Sequence, residues 1–449
     1  MSNAVAEIES PQSEPAAEFQ GDWFSQPPRH EEPDGLPAWY RDFQTAAWHQ
    51  FLETPEPIRT DEHWRFANLK QLKFGSLQVA SPVTNLDPVL EESRNRGLND
   101  VAARFVFVNN RLALSETVEL PEGVICLPLA EALVSHGDLV KAHFMQEDAK
   151  LGGAKFAALH GAASLSGVFV HVPKNVIVEK PIEVAHWAGG GGTTIFPHAL
   201  IVAEAGASVS VVERHRSLNE TDATLSVGVV DLAPEAGGRV QFVSVQHLNN
   251  HSRQVQLNGT RVGRDAQAVS CFVNLGARWV RNESVSRLID TGADSQMLSA
   301  NLCDGHQEFD QRTLQQHESP HTTSDLLYKN ALYDESRTIF SGLIQVCPGA
   351  HHTDAYQKCR NLLGSEEAEA NSMPGLEIDA DQVKCSHGST SGQISDEEIF
   401  YLQARGIPAR EARQMISQGF LNEAIERLAG QELKETIAQR FEERFALLT

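Results

Sequence analysis

Cys385 and His387 stand two residues apart in the segment VKCSHGSTSG, residues 383–392. Side chains at i and i+2 leave the same face of a strand, so this spacing would set a thiol beside an imidazole. Both groups bind soft or borderline metals, at about 2.0–2.3 Å. Two ligands do not close a site; the rest would come from another strand, a second chain or a bound cluster. The plainer reading is a cysteine packed in the core and a histidine with an ordinary hydrogen bond. Cys359 in QKCRNLL lies about one repeat earlier and is a weaker candidate, since a buried thiol explains it as well. Cys303 and His306 form C-x-x-H in LCDGHQEF with no matching pair, which reads as a loop. His317 and His321 straddle Pro320 and do not share a helix face. His351 and His352 fall at a corner of the chain and read as solvated. Lys358, Arg360 and Lys384 are the few bases of an acidic stretch, suited to pairing with carboxylates or simply to the surface.

The elements that must position these residues follow from periodicity. From about Gly167 to Val383 the chain runs through short segments of period two, among them GVFVHV, HALIVAE, RVQFVSVQHL and RTIFSGLIQV. A corner of small residues recurs, as EAGASV, EAGGRV, GRDAQAV, DTGADSQM, PGAHHTDA and DADQVK. Most intervals are about 27–32 residues, with one gap of about twice that. A strand-only repeat of this length predicts a parallel β-helix, with corners near Gly206, Gly238, Asp265, Gly292, Gly349 and Asp379. A β-sandwich with similar turns is the alternative. Hairpin-type turns are scarce; only Gly259 and Gly305 fit them.

Residues 1–35, rich in Glu, Pro, Ser and Ala, read as a disordered acidic tail. Residues 36–165 read as a mainly helical region. One helix over LPAWYRDFQTAAWHQFLETP stops before Pro55, and TDEHWRFANLKQL follows with Thr60 as its N-cap. Two strands meet about Asn109–Asn110, and PLAEALVSHGDLVKAHF and AKFAALHGAAS read as helices. The β-helix core is assigned to 166–392. Residues 393–449 read as a helical domain: Ser395 and Glu398 form a capping box, and helices stop at Gly406, Gly419 and Gly430. Such helices either cap the end of the solenoid or form a docking module.

Composition narrows the function classes. The chain has 449 residues, 41% of them hydrophobic, and a formal net charge of -23. That charge disfavours phosphate-backbone binding and anionic membranes. No stretch of about 18 apolar residues occurs, and the N-terminus lacks the basic and apolar regions of a secretory signal. The expectation is a soluble cytoplasmic protein with no nucleic-acid partner and no membrane span. Its six scattered cysteines are expected to be reduced. Neither GxxxxGK[ST] nor GxSxG occurs, so no nucleotide site or hydrolase nucleophile is expected.

The run from DAYQKCRNLLG through VKCSHGSTSGQ to FYLQARGIPAREARQMISQGF resembles the C-terminal signature of the SufB/SufD family of iron–sulfur cluster assembly proteins. The resemblance is dense over about Pro348 to Leu428 and weaker back to about Gly167. EHWRFANL, residues 62–69, is similar to the N-terminal helical part of the SufD branch. Gly388 after His387 also leans to that branch, since SufB proteins carry an acidic residue there. The resemblance implies a right-handed parallel β-helix flanked by helical N- and C-terminal regions. It implies a non-catalytic scaffold in a complex of SufB, SufC and SufD. A SufB-like subunit would pair through the β-helix, and a SufC-like ATPase would dock on the C-terminal helices and supply ATP hydrolysis. A transient iron–sulfur cluster, or iron, would be shared with the partner near Cys385 and His387. In isolation the chain would form a homodimer. Gly388 is the expected contact for the β-helix partner; Phe400, Tyr401, Ile407 and Phe420 are those expected for the ATPase. Two readings compete. One is a SufB-type main scaffold. The other is a β-helix carbohydrate-active enzyme with acids and aromatics along a groove, which the C-terminal helical module and the absence of a secretory signal oppose.

Overall fold

The alternation of apolar and polar residues is realised as strands of up to ten residues that pair in parallel with the strand one turn away. The computed structural model describes residues 23–28, 32–73 and 76–448. It is a parallel β-helix of about eight turns, flanked by N-terminal and C-terminal helices. Each turn gives one strand to each of two sheets. The first sheet ends with Glu308–His317, Arg337–Val346 and Glu369–Ile378; the second ends with Thr323–Leu332, Asp354–Leu363 and Lys384–Gln393. Register fixes the repeat length. Gln267 pairs with Asp294, 27 residues on, and Thr323 with Asp354, 31 on.

One row of corners is built on residues with positive φ: Gly206 (71°), Gly237 (67°), Asp265 (52°), Gly292 (74°), His321 (58°), His352 (59°) and Gln382 (59°). The N–H of Gly206 donates to Ala236 O, that of Gly237 to Arg264 O, and that of Asp265 to Thr291 O. A left-handed backbone is what turns the N–H toward the next corner, and glycine adopts it without a Cβ penalty. The double-length gap in the sequence pattern is filled here. His321 makes that corner, its N–H donating to His351 O, and its imidazole stacks on His352 with ring centroids 4.7 Å apart. Two corners shift along the chain, Gly237 and Gln382 taking the left-handed position rather than Gly238 and Asp379, and at the corner between them Gly349 and His352 both have positive φ. Gly259 makes no hairpin. It lies inside the strand Arg253–Val262, where a Cβ would fall 2.9 Å from Glu147.

The helices are α1 (Ala38–Glu53), α2 (Asp87–Asn95), α3 (Leu129–Ser135), α4 (Gly137–His143), α5 (Ala154–Ala163), α6 (Asp396–Gln403), α7 (Ala409–Ile425) and α8 (Gln431–Leu447). The N-terminal helices cover the outer face of the first sheet, with Phe51, Trp64, Phe156 and Leu159 packing on Val227, Val255, Leu257 and Trp279. The hairpin about Asn109–Asn110 extends the second sheet: Ala103–Val108 pairs in parallel with Ile182–Ala188. TDEHWRFANLKQL forms two short 3-10 turns, Glu62–Trp64 and Leu69–Leu72, rather than an α-helix, and Asp61 caps the first of them, not Thr60. Trp64 lies beneath the Arg281 guanidinium, 3.7 Å from its ring centroid, and Arg281 is held by Glu283 and Asp310. Residues 1–22 of the expected tail lie outside the described residues. Trp23 packs edge-on against Phe51 and Phe156 at 5.7 Å, so this part of the predicted tail is docked.

The C-terminal helices do not cap the solenoid. Leu421, Ile425, Leu433, Ile437 and Phe441 pack on Val243, Val273, Leu298 and Leu327, covering the outer face of the second sheet. Gly419 does not end a helix: α7 runs through it, with Ala412 and Ile416 before it packed in the cluster of Ile394, Ile399 and Leu362, and Leu421 and Ile425 after it packed on the second sheet. Ser395 precedes α6, but its side chain makes no cap hydrogen bond.

Candidate functional site

Because the helices lie on a face, the last turn of the β-helix stays open. Glu369–Ile378 and Lys384–Gln393 each pair with one strand and present a free edge. Cys385 and His387 sit on that final strand, in register with Ala355 and Gln357 of the turn beneath. Those partners are fully buried, which sets the inward face. Cys385 and His387 therefore share the inward face, as their spacing predicts, at the mouth of the solenoid.

Their surroundings differ. Cys385 is half-buried and packs with Leu376, Ala380 and Val383 against Ile344, Val346 and Ala355. Burial pushes its thiol up, and the Asp354 carboxylate adds to this. His387 is exposed, as are Ser389 and Ser391 farther along the same face. Gly388 points outward beside Lys358, with nothing within 4 Å of where a Cβ would stand. Cys359 lies one turn down but opposite Ser389 rather than Cys385. It is fully buried, touched by Asn330 and Ser372, and burial pushes its thiol up to about 12. Among the described residues no group of three or more His, Cys, Asp or Glu is arranged to hold a metal ion. Any metal at the mouth takes at most two ligands from Cys385 and His387.

The remaining candidates separate in the structure. Cys303 is buried, and His306 is exposed beside Glu335. His317 is buried between Thr322 and Ser324, and His321 is a corner residue. Of the expected docking residues, Phe400 is 70% exposed and Tyr401 58%, with the Arg405 guanidinium 3.5 Å from the tyrosine ring centroid. Ile407 is half-buried with Ile394, Ile399 and Ala412. Phe420 faces its own molecule: it packs on the second sheet beneath the Lys329 ammonium, 4.2 Å from the ring centroid. The apolar spacing of α7 gave no sign that this aromatic is used internally. Met415, 52% exposed on α7, is an apolar surface residue that sequence reasoning missed. No helix among the described residues is long and apolar enough to cross a membrane.

The family model for the SufBD core domain of the SUF system of FeS cluster assembly matches residues 186–420, and the SufBD N-terminal region matches residues 38–184. The chain is 27% identical to the iron–sulfur cluster assembly protein SufD of Bacillus subtilis, covering 92% of this chain and 95% of that protein. It is 29% identical to SufD of Escherichia coli over 88% of this chain and 90% of the relative. A SufBD family protein of Synechocystis is 28% identical, with 83% and 84% covered.

Proposed function

Since this chain belongs to the SufBD family of iron–sulfur cluster assembly proteins, we propose that it is a SufD-type, non-catalytic scaffold whose open turn pairs with a SufB-like subunit. The observation that carries this reading is the bare last rung. Its two edge strands offer unsatisfied backbone N–H and C=O groups, which a second β-helix would satisfy by strand addition. Pairing there would bring a partner's ligands to Cys385 and His387. The cargo is an iron–sulfur cluster or iron in transit, held by those two side chains and by groups of the partner. His387, exposed and able to serve as a neutral ligand or a proton acceptor, is the stronger participant. In isolation the same edges would pair with a second copy.

A SufC-like ATPase would dock on α6, where Phe400 and Tyr401 stand clear of their own chain. Aromatic anchors of this kind dominate interface energies. A cytoplasmic setting fits this role. Gly388 and the SufD relatives favour this branch over a SufB-type main scaffold. Family membership sets aside the carbohydrate-active enzyme.

The test is co-expression with the other complex members and assay of iron and sulfide. His387→Ala should leave assembly intact and sharply lower cluster content; Cys385→Ala should do the same or less. Wild-type iron and sulfide in the His387→Ala complex would make the motif structural. Gly388→Glu should weaken pairing without unfolding the chain, because the space beside it is open.

A further inference from the structure

The interior of the β-helix changes along its length. In the early turns aliphatic and aromatic residues such as Val170, Ile201, Val230 and Phe242 form a buried inward cluster. Later turns place amides and hydroxyls there. One row is closed on itself: Asn274 donates to Asn301, Asn301 to Asn330 and Asn330 to Asn361, each at 2.7 Å. Asn361 then reaches Ser391 on the open strand at 3.1 Å.

A second group is not closed. Oε1 of Gln311, Oγ1 of Thr313 and Oε1 of Gln357 have no hydrogen-bond partner, although the three side chains are 2%, 1% and 0% exposed. Both amides are already oriented by their other ends. Gln311 Nε2 donates to Asn330 at 3.1 Å, and Gln357 Nε2 to Gln315 at 3.4 Å. Gly342 draws two of the residues together: a Cβ there would fall 2.3 Å from Gln357 Nε2 and 2.7 Å from Thr313 Oγ1. Gln357 is also the register partner of His387, so it lies one turn beneath the mouth, with Gln311 and Thr313 a turn further in on Glu308–His317.

An unpartnered polar atom in a protein interior costs roughly 1–3 kcal/mol. Interiors relieve that cost with ordered water, typically making about three hydrogen bonds. Two carbonyl oxygens and a hydroxyl require a ligand with protons to give. No carboxylate occupies the alternate positions Phe309, Gln311, Thr313 and Gln315, nor their neighbours Gln357 and Cys359, so a cation has no charge to attract it. We propose that the lumen beneath His387 holds bound water at Gln311, Thr313 and Gln357, an internal hydration site that links the polar rows to the mouth. The site's existence does not depend on what Cys385 and His387 bind.

Thr313→Val tests it, because the swap removes the hydroxyl at nearly constant volume. Long-lived internal waters would be counted in the purified full chain by oxygen-17 relaxation dispersion, alongside thermal melting. With water bound, the variant loses at least one long-lived water and does not melt higher than wild type. An unchanged water count with a raised melting temperature would overturn the proposal, since an unpartnered hydroxyl in a dry lumen is purely a burden. Should Thr313→Val fail to fold, a high-resolution crystal structure of the wild-type chain decides: density bonded to Gln357 Oε1 supports the site, and an empty lumen there refutes it.

Discussion

At the level of single residues, the two thiols near the mouth are chemically unlike. Cys385 is half-buried with its thiol held above the ordinary value, so at neutral pH it is protonated, and a metal must displace that proton. Iodoacetamide should label Cys385 slowly at pH 7 and faster as pH rises, while Cys359 stays unlabelled until the chain unfolds; early labelling of Cys359, followed by peptide mass mapping, would contradict its burial. His317 gives a second residue-level prediction. Burial pulls it down to about 4, so it stays neutral in the fold while the unfolded chain takes up a proton near the ordinary histidine value. The unfolded state then binds more protons, and stability falls as pH drops from about 6.5 to about 4. The loss is on the order of 3 kcal/mol. His247, down to about 3 through burial and then Arg216, adds a loss of the same sign. Urea unfolding at a series of pH values should show the decline, and His317→Asn should flatten part of it.

At the level of elements, the contrast is between α6 and α7. Phe420→Ala should destabilise the chain by about 2–4 kcal/mol, because its ring packs on the second sheet. Phe400→Ala should change stability by less than about 0.5 kcal/mol, because that ring is in solvent. Tyr401→Asp should abolish co-purification of the ATPase while the β-helix stays folded; undiminished binding would move the docking surface elsewhere. These two helices also show where sequence reading stops. Apolar spacing finds a helix and its buried stripe, but it does not tell an internal face from one left for a partner, so Phe400 and Phe420 looked alike. The strands were legible because alternation is local, and so was the pairing of Cys385 with His387 on one face. The corner at His321 was missed because the pattern sought glycine or aspartate at the left-handed position, whereas histidine also adopts it. That the end stays open was undecided in the sequence, which allowed the C-terminal helices either to cap the solenoid or to form a docking module. It depends on where α7 and α8 fold back, which is set by contacts far apart in sequence.

At the level of the whole molecule, the β-helix is a stack in which each rung is held by its neighbours. The final rung, Glu369–Gln393, has a neighbour on one side only, and none of its residues is fully buried. Stacks of this kind melt from whichever end is bare. Amide hydrogens of Lys384–Gln393 should therefore exchange soonest among the later strands, Thr323–Leu332 should resist far longer under α7, and binding of a second β-helix should slow the last strand most; uniform exchange along the stack would refute this. On that expectation the rung that carries Cys385 and His387, paired along its length with Asp354–Leu363, would open more often than the rungs beneath it. Under the proposed role, such an end would hold iron poorly in the isolated chain, and the order of the site would come with the neighbour that completes the stack.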